Sequence, residues 1–211
     1  MHLLLIGPPG SGKGTQAHKL STLFDLEHIS TGGLLRHNPN LSNEQKEIIN
    51  SGNLIPDEMM LEIVKTKINS TDRKGWILDG FPRTKNQATL LSSILDEKKL
   101  TIIYLDVDKN ELLERITGRI SCMDCGTVYH KQTKPPLKSG ICDECGGHLE
   151  HRIDDNQKTL THRLETYYTH TAPVINYYKE KNLLHSVPSS NSHSIEEVFE
   201  RIKKILNQHS K

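Results

Sequence analysis

The segment HLLLIGPPGSGKGTQAHKLSTLF, residues 2–24, leaves this chain little freedom in how it folds. HLLLI is a short, continuous apolar run, as expected of a strand covered on both faces. GPPGSGKGT, Gly7 to Thr15, follows with the spacing G-x-x-x-x-G-K, and a helical pattern comes next. Gly14 stands where Ser or Thr is usual, and Thr15 comes one place later. Glycines let the backbone turn tightly and aim its amides inward, while the next helix presents its positive end to the same point. A phosphate fits such a cradle. Gly10, Ser11, Gly12, Lys13, Gly14 and Thr15 are therefore candidate binding residues, with Lys13 a mobile charge on the outer phosphates. A glycine-rich turn with no anion to hold is the plainer alternative, disfavoured by the strand before it and the helix after it.

Further apolar runs recur at 26–30, 76–79, 101–107 and 183–187. Between them, helical spacing covers Ser42 to Asn50, Asp57 to Asn69, Lys85 to Lys98, Asn110 to Ile120, Lys158 to Lys181 and Ile195 to Gln208. Strands alternating with helices imply right-handed crossovers and an open, parallel α/β sheet of about five strands. The stretch from about Arg119 to Asp155 breaks the rhythm. It holds all four cysteines, the Pro135–Pro136 pair and four glycines, and reads as an insertion.

A chain of 211 residues supports one core with room for an inserted subdomain. With 27 basic and 26 acidic side chains, nothing in the total charge demands nucleic acid or a membrane. The apolar start lacks a basic leader and soon meets proline, and no run approaches a membrane span, so a cytoplasmic location is expected.

Asp79 ends the apolar run of GWILDGFPRT, where a carboxylate can organise magnesium through water. The candidate anion contacts beyond Lys13 are Arg36, Arg83, Arg115, Arg119, Arg152 and Arg163. Transfer of a phosphoryl group between two nucleotides needs many fixed positive donors, because charge spreads over the equatorial oxygens and both ends must be held in line. The planar fork of arginine suits that task.

Cys122, Cys125, Cys142 and Cys145 form C-x-x-C, sixteen residues, C-x-x-C, the spacing of a zinc ribbon. In a reducing cytosol two disulfides are the weaker reading. Four thiolates complete a tetrahedral site, leaving no place for water or substrate, so the metal is expected to be structural. It would order a segment too small to hold an apolar core unaided. Tyr129 and His130 are expected to pack beside it.

The segments GPPGSGKGTQA, ISTGGLLR, GNLIPDEM, GWILDGFPRT with Gln87, ERITGR, the paired cysteines, RIDD, HRL and TAPVINYY span nearly the whole chain, and in this order they resemble adenylate kinase of the long bacterial type with a metal-bearing lid. The resemblance implies the P-loop nucleoside monophosphate kinase fold, with a five-stranded parallel sheet in the order 2-3-1-4-5. It implies a core of residues 1–29, 60–118 and 156–211, an AMP-binding segment at 30–59 and a lid at 119–155. It further implies magnesium-dependent transfer from ATP to AMP by a monomer. Lys13 would hold ATP phosphates, Arg119, Arg152 and Arg163 would neutralise the transferring group, and Arg115 would lie against the ATP adenine. Thr31, Arg36, Gly80, Arg83 and Gln87 would bind AMP, and Asp154 and Asp155 would draw the lid onto the core.

Two positions depart from the family pattern. Gly33 stands where an aspartate usually follows STG, and Ile120 where a second arginine often follows the first. Rival readings are a kinase for CMP, UMP or GMP, a zinc-ribbon nucleic-acid module joined to an ATPase, and a regulatory GTPase. The ribbon mixes acids with lysines and offers one tyrosine, and no N-K-x-D-like guanine motif is present, which disfavours the last two.

Overall fold

The computed structural model describes residues 1–36, 38–152 and 155–209. The first half of the chain runs β1 (His2–Ile6), α1 (Lys13–Phe24), β2 (Glu27–Ser30), α2 (Thr31–Arg36), α3 (Asn43–Asn50), α4 (Asp57–Asn69), β3 (Trp76–Asp79), α5 (Lys85–Ile94), β4 (Leu100–Asp106) and α6 (Lys109–Thr117). After the short strands β5 (Arg119–Cys122), β6 (Val128–His130) and β7 (Leu149–Glu150) come α7 (Gln157–Thr166), a π turn at Tyr167–Thr171, α8 (Ala172–Glu180), β8 (Leu184–Pro188) and α9 (Ile195–His209). The main sheet has the order β2-β3-β1-β4-β8 and is parallel throughout. Counting β8 as the fifth core strand, this is the expected 2-3-1-4-5.

The apolar runs are continuous because the sheet has a core on each face. Leu4 and Ile6 of β1 point into one cluster with Trp76, Leu78, Phe81, Ile102, Val174 and Tyr178. Leu3 and Leu5 point into the other, with Ile77, Ile103 and Leu105 and the packed faces of α1 and α9. In α9 the buried positions Val198, Phe199, Ile202 and Leu206 follow the 3.6-residue period. Each large apolar side chain so enclosed contributes about 1.5–3 kcal/mol. The register Leu5↔Asp79↔Ser30 aligns the carboxyl ends of β1, β3 and β2, so the residues after each strand meet along one edge.

Three expected helices are shorter than their apolar spacing suggests. The pattern from Asn110 to Ile120 ends as helix at Thr117, since Gly118 caps α6 and Arg119 opens β5. Gly118 has no room for a side chain: a Cβ there would lie 2.2 Å from Nε2 of His130. The pattern from Lys85 to Lys98 breaks after Ile94 and resumes as a 3₁₀ turn at Glu97–Lys99, begun by an Asp96 side-chain cap. The stretch Lys158 to Lys181 is two helices joined by the π turn. Pro173 has no N–H to continue the ladder, and Ala172 donates instead to the carbonyl of Tyr167, five residues back.

The inserted segment forms its own antiparallel sheet, in the order β6-β5-β7, around a small core of Cys122, Tyr129 and Cys142. Ile120 packs against this core. The sheet lies over the phosphate loop: a Cβ on Gly14 would sit 3.9 Å from Cγ2 of Val128, and His18 of α1 is 3.8 Å from Glu144. Asp154 lies outside the described residues. Among the described residues no helix is long and apolar enough to cross a membrane.

Candidate active site

Gly10 and Gly12 adopt φ values of 83° and 92°, a region that favours glycine. A side chain on Gly10 would also meet Ile116 at 3.0 Å. The loop between β1 and α1 thus follows the path its glycines suggest, and Gly14 and Thr15 lie in the first turn of α1. Ser11 is fully buried. The Lys13 ammonium folds back over this loop, donating to the Gly7 carbonyl at 2.8 Å, the Pro8 carbonyl at 2.9 Å and Oγ of Ser11 at 3.3 Å. Burial lowers its pKa to about 8; Arg83, Arg163 and Arg119 add to the fall, while Asp79 opposes it. The same electrostatics show which charges the fold gathers around Lys13.

Asp79 extends from the end of β3 toward the start of α1, its Oδ2 3.5 Å from where a Gly14 Cβ would be. Burial alone would raise its pKa, but the His28 hydrogen bond and charge, together with Lys13 and Arg83, hold it below the usual carboxylate value. His28 reaches this carboxylate at 3.3 Å from β2. Sequence reading gave His28 no role, because nothing in LEHIS shows that the β2–β3 register brings it to Asp79.

On the other side of Asp79, Gly80 takes φ 85°, and a Cβ there would meet Thr31 Oγ1 at 3.0 Å and Arg83 Nη2 at 3.1 Å. Only glycine fits. Thr31 Oγ1 donates to the Gly80 carbonyl at 3.0 Å, and Arg83 Nε to the same oxygen at 2.8 Å. Gln87 is buried, its Oε1 accepting from the Arg83 amide at 2.7 Å and its Nε2 donating to Asp57 at 2.8 Å. Asp57 also accepts from Thr84 and Asn86, both at 2.9 Å. Asp57 belongs to GNLIPDEM, yet only the tertiary contact of α4 with α5 reveals it as the anchor of Gln87. Thr171, in the π turn, donates to the Arg83 carbonyl at 2.8 Å. The Arg36 guanidinium lies beside Gly32, 3.2 Å from a Cβ built there.

The remaining arginines occupy three settings. Arg119 grips Asp155 with two bonds, one of 2.7 Å from Nε, and Arg163 Nη1 stands 3.7 Å from the same carboxylate, whose side chain is fully enclosed. Arg152 Nε donates to Ser121 of β5 at 2.9 Å. Arg115 stands apart from the Lys13 group, bonded to Glu111 and Asn191. Gly52 touches Arg163, where a Cβ would lie 2.6 Å from Cγ, and Asn53 bonds His162 at 2.7 Å. The segment before α4 therefore closes against α7.

The four cysteines converge, all Sγ atoms lying within 4.8 Å of one another. Cys122 and Cys145 are 3.4 Å apart, and Cys125 and Cys142 3.6 Å. Tetrahedral zinc with bonds of about 2.3 Å sets its thiolates about 3.8 Å apart, so the group fits. Burial works against ionisation of Cys142, but the Tyr129 hydroxyl and the Cys145 and Glu144 amides outweigh it and bring the pKa to about 6. The Gly147 amide favours a Cys145 thiolate, yet the Cys125 and Cys122 thiols push its pKa up to about 12. Thiolates this close cannot all be charged without a cation among them. Tyr129 packs here as expected, 3.6 Å from Cys142. His130 does not; its ring covers Gly118 and reaches the Glu114 carbonyl at 3.4 Å. Residues in β6 alternate sides, so neighbours in sequence face apart.

A family model described as "Adenylate kinase" matches residues 5–183. Proteins named adenylate kinase align over the chain's length. That of Thermoanaerobacter sp. (strain X514) is 43% identical over 219 residues, covering 100% of both chains. That of Carboxydothermus hydrogenoformans is 44% identical, covering 98% of this chain and 99% of its own, and that of Geobacillus sp. (strain WCH70) is 42% identical, covering 98% of each. With the family model matching residues 5–183, a span that holds the phosphate loop and the cysteine segment, this chain belongs to the adenylate kinase family.

Proposed function

We propose that the protein interconverts ATP plus AMP with two ADP by direct, in-line phosphoryl transfer. The observation that carries this reading is the gathering of Asp79, Arg83, Arg119 and Arg163 around Lys13, beside the carboxyl edge of the sheet. Such a cluster draws its donors from separate parts of the chain, Arg83 after β3 and Arg119 and Arg163 at the Asp155 carboxylate, as a phosphoryl group shared by two nucleotides would require. The loop Gly10–Thr15 would hold the ATP phosphates, and Arg119, Arg152 and Arg163 the transferring group. Thr31, Arg36, Gly80, Arg83 and Gln87 would bind AMP, Arg36 and Arg83 at its phosphate. No covalent intermediate is needed, so the protein's contribution is alignment and charge.

Asp79, ionised and facing the N-terminus of α1, would hold water around a magnesium ion carried in on the nucleotide. The ion would neutralise charge on the phosphate oxygens. Gly33 supplies no carboxylate of its own, and Asp79 is braced by His28. Cys122, Cys125, Cys142 and Cys145 would hold zinc, which stiffens the lid and takes no part in the reaction. We take the lid as 119–155, the AMP segment as 30–59, and the core as 1–29, 60–118 and 156–211. Lid closure excludes the water that would otherwise compete with AMP. We take the enzyme to act as a cytoplasmic monomer on free nucleotides.

Incubating the pure protein with ADP and magnesium should yield ATP and AMP in equal amounts. Failure to form either from folded, metal-loaded protein would overturn the proposal. A panel of AMP, CMP, UMP and GMP as acceptors should show AMP preferred.

A further inference from the structure

Arg115 is held by contacts that phosphate chemistry does not require. Its Nε donates to Oδ1 of Asn191 at 2.9 Å, and its Nη2 donates to Oε2 of Glu111, one turn earlier on α6, at 3.2 Å. The same Glu111 oxygen accepts the backbone N–H of Asn191 at 2.7 Å. The three residues therefore close a ring of hydrogen bonds between α6 and the loop that follows β8. That loop is also fastened to the phosphate cradle, because the hydroxyl of Ser189 donates to the Ser11 carbonyl at 3.2 Å. A single residue, Ser190, separates the contact with the cradle from the contact with Arg115. The guanidinium is thus tied in both distance and tilt to the phosphate loop, and the planar face of an arginine is useful for stacking when that tilt is held.

We propose that Asn191 and Glu111 are positioning residues for the donor nucleotide, holding the Arg115 plane and the 189–194 loop as a preformed platform for the ATP base. The proposal rests on the reading of Arg115 as a donor-side residue. It adds that the seat for the base is assembled before ATP arrives, so ordering of a long, free arginine need not accompany binding. Asn191 belongs to a polar stretch, SSNSHS, which the sequence presents as a simple connection.

The test is a thermodynamic cycle in the full-length, metal-loaded enzyme. Asn191→Ala should raise KM for ATP by about five- to tenfold, less than the full worth of one charge-assisted hydrogen bond because Glu111 still holds the guanidinium. KM for AMP and kcat should stay within about twofold, since the acceptor contacts lie elsewhere. Calorimetric titration with ATP in the absence of AMP should show the same weakening. Glu111→Ala should behave alike, and Glu111→Gln, which keeps an acceptor oxygen, should recover part of the loss. In the Arg115→Ala background, Asn191→Ala should add nothing, because it acts only through that guanidinium. If Arg115→Ala raises KM for ATP and Asn191→Ala does not, the positioning role falls while the donor-side reading stands. If Arg115→Ala leaves KM for ATP unchanged, the donor-side reading falls and takes the proposal with it. An undiminished effect of Asn191→Ala in the Arg115→Ala background, or equal rises in both KM values, would also overturn it.

Discussion

Asp155 is an enclosed carboxylate between two arginines that belong to the proposed phosphate site, and its substitution by asparagine probes that site in two ways at once. Asparagine keeps the shape and one acceptor oxygen but removes the charge. Arg119 then loses one of its two bonds, and Arg163 loses the partial neutralisation it receives at 3.7 Å. One or two charge-assisted bonds at about 1.5–3 kcal/mol each, in a site where an arginine loses its enclosed partner, give a destabilisation of about 3 kcal/mol. For a chain of this size each kcal/mol moves the thermal midpoint by about 2–4 °C, so the nucleotide-free variant should melt about 6–12 °C lower. Phosphate groups offer those arginines a replacement anion. Adding ADP with magnesium should therefore raise the midpoint of Asp155→Asn more than that of the parent, narrowing the gap. Differential scanning calorimetry, with and without ADP, measures both quantities. A nucleotide-free drop below about 2 °C, or an equal ADP-induced rise in the two proteins, would refute the view that Asp155 neutralises the phosphate arginines internally.

Chelation of the metal proposed at Cys122, Cys125, Cys142 and Cys145 should lower the thermal midpoint while titrating nucleotide still binds the phosphate loop; loss of all nucleotide binding on gentle metal removal would contradict a purely structural site. Arg83→Ala should cut kcat by at least about 10²-fold, far more than losing the side-chain bond to the Gly80 carbonyl could explain through stability; near-normal turnover would remove Arg83 from the transfer site. Lys13 has a pKa near 8 when folded and an ordinary value of 10.5, so between those values the unfolded chain binds more protons. Its contribution to stability is accordingly present above pH 10.5 and lost as pH falls through 8, in the nucleotide-free protein. Urea titrations of the parent and Lys13→Met from pH 7.5 to 10.5 should show a relative rise in the parent; parallel curves would mean the ammonium is not strained by burial.

Much of this molecule is written in local patterns. GPPGSGKGT between an apolar run and a helical one dictates a phosphate loop, because glycine spacing fixes where amides can point and the flanking periods fix what they join. Five apolar runs point to a sheet covered on both faces, and four cysteines at ribbon spacing favour one shared site over two disulfides, now seen with every Sγ within 4.8 Å of the others. The helix boundaries were less legible. Apolar spacing runs on through Gly118 and across the π turn, whereas hydrogen-bond supply ends the helices, through a glycine that must accept the His130 ring and a proline that cannot donate.

What the tertiary structure alone decided is which charges meet. Asp155 lies 36 residues from Arg119, Asn191 lies 76 from Arg115, and Asp57 lies 30 from Gln87. His28 reaches Asp79 only because β2 pairs with β3 in one particular register. Spacing along a chain encodes interactions within one turn or one strand. Partners this distant are chosen by how the layers pack, since burial brings whole faces together and the polar groups at their edges must then find whatever stands opposite.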